Sequence, residues 1–269
     1  MPHATIHGHD LYYERSGSGE PLLLIMGMSG THLSWGEPFL DGLRREFEVC
    51  VYDHRGVGHS SATEPGFTIA DLADDAAGVL DALDWDTAHV VGISMGGMIA
   101  QELALRHPER LRTLTLGCTY PGGAGSVLAS QETMGKLMEG MSSGDPEQAV
   151  RASWEVNVSP AFAADDAAFA AFRGAALELP VALEVIMAQA QAVMGHDASE
   201  RLVDVSAPTL VIHGTADEML PVANAALIAE KIPDSRLEIL DGVGHIFFRE
   251  RPGDSVRLIA DHAREAGRV

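Results

Sequence analysis

The stretch His89-Val90-Val91-Gly92-Ile93-Ser94-Met95-Gly96-Gly97-Met98 decides how this chain is read. An apolar run, Ala88–Ile93, enters it and reads as a buried strand. An amphipathic stretch, Met95–His107, leaves it and stops before Pro108, so it reads as a helix. The change of structure falls on one residue, Ser94. A strand that turns into a helix at a single position puts that residue in strained backbone geometry, with its side chain outward. Gly92 and Gly96 remove the Cβ atoms that would clash there. The Ser94 hydroxyl then stands at a helix N-terminus, where the dipole favours a developing negative charge.

Outward from this point the alternation continues. Pro21–Met26 and Phe47–Tyr52 are short apolar runs of the kind a parallel sheet buries on both faces, and Leu111–Gly117, Thr209–His213 and Ser235–Leu240 read as further strands. Helical spacing appears at Glu37–Glu46, Ala223–Lys231 and Asp254–Arg264. It also runs through Thr68–Leu83, where Ile69, Leu72, Ala76, Val79, Leu80 and Leu83 form the apolar stripe. Thr68 is a suitable N-cap, with Asp71 three residues on. The start of the chain reads as a hairpin, Ala4–His7 and Leu11–Arg15 around a Gly8-His9-Asp10 turn. Strands alternating with helices at both ends predict an α/β protein with a mostly parallel sheet flanked by helices.

Between Tyr120 and Val203 the alternation stops. Four alanine-rich helical patterns replace it: Gln131–Met141, Glu147–Glu155, Asp165–Leu177 and Val181–Met194. The expected organisation is therefore a core from 1 to 119, a helical cap insertion from 120 to 203, and a return to the core from 204 to 269.

Composition narrows the function. The chain has 269 residues and is 46% hydrophobic, enough for a sizeable core. Its 18 Lys and Arg face 39 Asp and Glu, a formal charge of −21. Such a surface repels phosphates and anionic headgroups, which argues against nucleic-acid and membrane partners. No apolar stretch approaches the roughly 20 residues needed to span a bilayer, and the N-terminus has no signal-peptide pattern. A cytoplasmic protein is expected. Cys50 and Cys118 form no Cys-x-x-Cys pair and read as two reduced, buried thiols, with a disulfide between them as the alternative. There is no metal motif, no P-loop and no dinucleotide fingerprint, since Gly56-Val57-Gly58 lacks the later glycine, so neither a metal nor a cofactor is expected.

A serine needs a base to become a nucleophile. Of twelve histidines, His245 is set apart by lying just after the Ser235–Leu240 strand, in Asp241-Gly242-Val243-Gly244-His245. Ligand sites of open α/β sheets lie at the carboxyl ends of the strands, and Ser94 lies at such an end too. Asp217, just after the Thr209–His213 strand, is the preferred carboxylate to orient the imidazole, with Glu218 and Asp241 as rivals. A tetrahedral intermediate needs two backbone N–H donors. Met95, after the nucleophile, offers one. Met28, in the loop Met26-Gly27-Met28-Ser29-Gly30, offers the other, with Gly27 permitting close approach.

These residues together resemble the α/β-hydrolase superfamily: the chain order Ser94, Asp217, His245, the glycine-flanked bend, the first glycine loop, and Asp53-His54-Arg55-Gly56-Val57-Gly58-His59-Ser60. The closest likeness is to 3-oxoadipate enol-lactonases, cofactor-free haloperoxidase-like esterases and polyketide methyl esterases. The resemblance implies the α/β-hydrolase fold and a Ser-His-Asp triad acting through an acyl-enzyme. It also implies a structural role for the Asp53–Ser60 loop and a place near the pocket for Trp35. Met26 stands where many members carry a histidine. Ser94 in place of an aspartate excludes the ester-to-Asp route of dehalogenases and epoxide hydrolases. Ile246 stands where carbon–carbon bond hydrolases usually carry tryptophan.

Met98 and Met219 flank the expected site, and Met134 and Met138 fall in the insertion. Flexible thioethers suit an adaptable apolar pocket, and equally the filling of helical gaps. The expected pocket comprises Gly27, Trp35, Met98, Met134, Met138, Met219 and Ile246. The expected function is hydrolysis of a carboxylic ester or lactone of a small, largely apolar substrate, with water as the second reactant. The same triad could serve carbon–carbon hydrolysis, perhydrolysis, acyl transfer or a lyase or cyclisation step, and a non-catalytic binding protein is a further alternative. The sequence does not specify whether the chain forms a homo-oligomer.

Overall fold

The computed structural model describes residues 2–267, so the first residue of the N-terminal core segment and the last two of the C-terminal one lie outside the described residues. The strands are β1 (His3–Ile6), β2 (His9–Gly17), β3 (Glu20–Ile25), β4 (Phe47–Tyr52), β5 (Ala88–Ile93), β6 (Leu111–Gly117), β7 (Thr209–Gly214) and β8 (Ser235–Leu240). They form one sheet in the order β1-β2-β4-β3-β5-β6-β7-β8. β1 and β2 are an antiparallel hairpin, and β2 is antiparallel to β4. From β4 to β8 every neighbouring pair is parallel.

Helices cover both faces because both faces of the central strands are apolar. In β3, Leu23 and Ile25 point into the core shared with α2 (Ile69–Ala82) and α3 (Met95–Arg106), while Leu22 and Leu24 join the opposite core. That second core also holds α1 (Glu37–Arg44), with Phe39 and Leu43. Thr68 caps α2 as its sequence predicts: its hydroxyl accepts the Asp71 N–H, and Asp71 returns a bond to the Thr68 amide.

Between β6 and β7 lie α4 (Gln131–Ser142), α5 (Pro146–Asn157), α6 (Pro160–Ala163), α7 (Asp166–Glu178) and α8 (Leu183–Met194). The inserted helices carry a small aromatic centre of their own, where Trp154 on α5 is fully buried against Phe162, Phe169 and Phe172. After β7 come α9 (Ala223–Lys231), α10 (Phe247–Glu250) and α11 (Pro252–Ala266). Leu258 and Ile259 of α11 complete the second core. Among the described residues no helix is long and apolar enough to cross a membrane.

Two local expectations shift. The hairpin turns at His7 (φ 51) and Gly8 (φ 85), not at Gly8-His9-Asp10, so β2 already begins at His9. Two successive positive φ angles match the right-handed twist of the flanking strands. The helices α6 and α10 are only four residues long, too short for a periodic pattern to show. Cys50 and Cys118 are both free thiols and fully buried.

Candidate active site

Ser94 ends β5 and caps α3 with φ 54 and ψ −124. That is the left-handed region, costly for any residue with a Cβ, and it persists because the surroundings over-determine it. The Ser94 N–H donates to the Gly117 carbonyl at 3.0 Å. The Ser94 carbonyl accepts from the Gly97 and Met98 amides and from the Thr119 hydroxyl at 2.8 Å. Thr119 was not foreseen in the sequence, where it reads only as a residue past a strand end.

The bend is pressed against the end of β3. A Cβ on Gly96 would lie 2.0 Å from the Ile25 carbonyl oxygen, so only glycine fits. A Cβ on Gly27 would lie 3.1 Å from Ser94 Cβ and 3.6 Å from its Oγ. The Gly27–Met28 peptide therefore runs directly past the hydroxyl.

Asp217 and His245 meet as the chain order predicts. His245 Nδ1 donates to Asp217 Oδ2 at 2.8 Å, and both residues are buried. With Nδ1 holding the hydrogen, Nε2 is the basic nitrogen. His213 Nε2 lies 3.0 Å from the same Asp217 oxygen and 2.6 Å from the Leu220 carbonyl oxygen, between which its hydrogen is shared, and Asp217 Oδ1 accepts the Met219 and Leu220 amides, each at 2.9 Å. The rivals lie elsewhere: Glu218 is exposed, near the Thr133 hydroxyl, and Asp241 bonds Thr215.

Burial alone would raise the Asp217 carboxyl. The imidazoles outweigh it and hold the group well below the usual carboxylate range. Burial opposes a charge on His245, but the adjacent carboxylate outweighs that and raises the imidazole well above its ordinary 6.5. Cys118 borders both the His245 ring and the Ser94 amide, and burial raises its thiol, which stays neutral. Its φ of 39 marks a second non-glycine residue in the left-handed region at this edge of the sheet.

The inserted helices brace the His245 loop. Glu250 Oε1 accepts the Ser159 amide at 2.8 Å and the Gly244 amide at 2.9 Å, and the Ile246 amide donates to the Asn157 carbonyl at 3.0 Å. The Asp53–Ser60 loop, in turn, holds the end of β3 and the residues after it. His54 Nε2 donates to the Met26 carbonyl at 2.9 Å, and Asp53 Oδ1 accepts the His32 amide at 2.7 Å. Burial lowers the His54 pKa, consistent with a neutral ring in that role. Arg55 is locked to Asp75 by two hydrogen bonds, at 2.6 and 2.7 Å.

The expected pocket residues separate by burial. Gly27 and Ile246 adjoin Ser94 and His245 in space and in sequence, respectively. Met219 is half-buried in the Asp217 loop. Trp35 is fully buried against Phe39 and Phe248, and Met98 is buried with α2 and α3. Met134 and Met138, on α4, are 44% and 55% exposed. Among the described residues no three His, Cys, Asp or Glu side chains converge as a metal site would need.

The chain as a whole has counterparts among known proteins. A protein of Azorhizobium caulinodans assigned as the carbamate hydrolase RutD is 34% identical over 254 residues, 94% of either chain. Among solved structures, Est816, described as an N-acyl homoserine lactone degrading enzyme, superposes with a TM-score of 0.81 at 30% identity, covering 97% of this chain and 99% of its own. The enol-lactonase of Burkholderia xenovorans LB400 shares the fold, with a TM-score of 0.85 at 24% identity over 98% of this chain and all of its own (100%). A family model described as alpha/beta hydrolase fold matches residues 20–252. The strained serine, the oriented imidazole and these likenesses agree, and the chain belongs to the α/β-hydrolase family of enzymes.

Proposed function

We propose that the protein is a serine hydrolase that cleaves a carboxylic ester or lactone through an acyl-enzyme. Ser94 Oγ attacks the carbonyl carbon while His245 Nε2 takes its proton. The Met28 and Met95 amides hold the oxyanion. The carbonyl reforms as the alkoxide leaves, and His245 protonates it. His245 then draws a proton from water, whose oxygen attacks the acyl carbon; the bond to Ser94 Oγ breaks, His245 returns the proton to Oγ, and the free acid leaves. Asp217 keeps the imidazole in the working tautomer and offsets its positive charge in each transition state.

The observation that carries this reading is Ser94 at φ 54, held against Gly27 at the start of α3. Strain of that kind persists where it exposes a reactive group. The 2.8 Å bond from His245 to Asp217 supports it independently. The substrates named for the two relatives, a carbamate and a lactone, share with simple esters an acyl carbon bonded to oxygen. Met28, Met219 and Ile246 adjoin the site residues in the chain, their apolar side chains suit an apolar substrate, and the net charge of −21 disfavours polyanionic substrates. A small, largely apolar ester or lactone fits best.

The test is Ser94→Ala assayed on p-nitrophenyl esters and simple lactones, with fluorophosphonate labelling alongside. Turnover should fall by about 10⁵- to 10⁶-fold and labelling should vanish. Hydrolysis that survives the substitution overturns the proposal.

A further inference from the structure

The loop Gly27–Gly30 is anchored from two directions, and one anchor comes from the inserted helices. Gln189 of α8 is fully buried, and its Oε1 accepts the Ser29 N–H at 2.9 Å. Ser29 is itself exposed, with φ 58, so water could satisfy its amide without help. The Gln189 Nε2, by contrast, is buried with no partner. An apolar side chain of similar size would remove that orphaned donor and improve stability. Stability therefore does not account for a glutamine here, whereas the position it imposes on Ser29 does.

The peptide that Gln189 holds follows directly on the Gly27–Met28 peptide, which passes Ser94. Turning the Met28–Ser29 plane changes the backbone angles on either side of it and moves Met28 N–H. We propose that Gln189 is a positioning residue that keeps the Met28 amide in place for the oxyanion and so couples the seating of α8 to the chemical step. This rests on the serine-hydrolase reading above. α8 is well placed for such coupling. Val185, one turn earlier, packs on Gly56, where a Cβ would lie 3.0 Å from it. One turn later the Tyr120 hydroxyl donates to the Val193 carbonyl at 2.8 Å. Both contacts seat α8 on the core, so the position of Gln189 and of the Ser29 amide it holds follows the seating of that helix.

The experiment compares Gln189→Leu, which loses the acceptor, with Gln189→Glu, which keeps one in the same place. On p-nitrophenyl butyrate, Gln189→Leu should lower kcat by about tenfold to a hundredfold with KM changed less than about threefold, because a displaced oxyanion donor weakens the transition state more than the ground state. Gln189→Glu should recover most of that kcat. Deuterium exchange in a peptide spanning residues 26–30 should rise in Gln189→Leu and not in Gln189→Glu. If Gln189→Leu does not fold, Gln189→Met supplies the same comparison. A leucine or methionine variant at wild-type kcat, a loss carried by KM alone, or a glutamate variant as slow as the leucine one overturns the inference. Ser94→Ala is run beside them. An inactive Ser94→Ala with an unaffected Gln189→Leu defeats only the coupling, whereas an active Ser94→Ala defeats the serine-hydrolase reading itself.

Discussion

Two loops meet at Ser94, and they are built by different means. The bend from β5 into α3 announces itself in its own stretch of chain, with a strand before it, a helix after it and glycines on either side, and it is tied to β6 besides through the Gly117 carbonyl and the Thr119 hydroxyl. The loop after β3 takes its shape from afar. His54 reaches back 28 residues to hold Met26, and Gln189 reaches back 160 residues to hold Ser29. The Ser94 bend thus has a local sequence signature, while the loop after β3 takes its anchors from distant parts of the chain. Damage to the first should abolish function outright, and damage to the second should grade it.

The largest effect is expected on the nucleophile's side. Asp217→Asn should lower kcat by about 10⁴-fold, because the imidazole loses its tautomer and its counter-charge. The pH profile gives a sharper reading. His245 must be neutral to accept a proton, and its pKa is raised above 6.5, so kcat/KM should climb with pH on a limb lying above that value. Without the carboxylate charge the limb should move to lower pH, and stopped-flow or plate assays across pH resolve it. Next comes the contact between the loops. Gly96→Ala sets a methyl group 2.0 Å from the Ile25 carbonyl oxygen, and urea denaturation should show a loss of about 4 kcal/mol or an unfolded chain.

The far-reaching partners should matter less. His54→Phe leaves the buried Met26 carbonyl without its donor, for a loss of about 1–3 kcal/mol in urea denaturation. Its kcat should fall about tenfold with KM little changed, since the loop is displaced but not removed. A His54→Phe enzyme at full kcat would erase the contrast between the two loops. The smallest effect is expected furthest out. Met134→Ser combined with Met138→Ser should leave stability within about 0.5 kcal/mol. The same pair should lower the preference for p-nitrophenyl octanoate over acetate by about fivefold.

The same contrast explains what could be read from residue order. β4, β5 and β6 occupy the stretches their apolar runs predict, because a strand buried on both faces leaves a continuous signal, and β8, a partly exposed edge strand, also spans the stretch expected of it. Ser94, Asp217 and His245 stand out in the sequence because each follows the carboxyl end of a strand, and the structure joins His245 to Asp217, their action with Ser94 being the proposal under test. The Asp53–Ser60 loop reads correctly as structural, but its attachment to Met26 and His32 has no local sign. Gln189 had none either, being one of two glutamines on an alanine-rich helix. Trp35 draws attention as an aromatic near a glycine loop, and burial against Phe39 and Phe248 places it in the core. Whether a side chain faces a pocket or a core depends on which helix lies opposite, and periodicity carries no such information.

Asp217 shows what a crowded carboxylate can and cannot do. Its two oxygens accept from the His245 imidazole and two amides, and the His213 N–H is shared between it and the Leu220 carbonyl, so most of a carboxylate's four lone-pair sites are taken. Little room is left for an added proton. The group is thus held as a negative pole, and in the proposed mechanism the proton taken from serine stops at the ring. Mild acid should silence such an enzyme by charging its imidazole and spare the aspartate, so activity should return in full when the medium is neutralised.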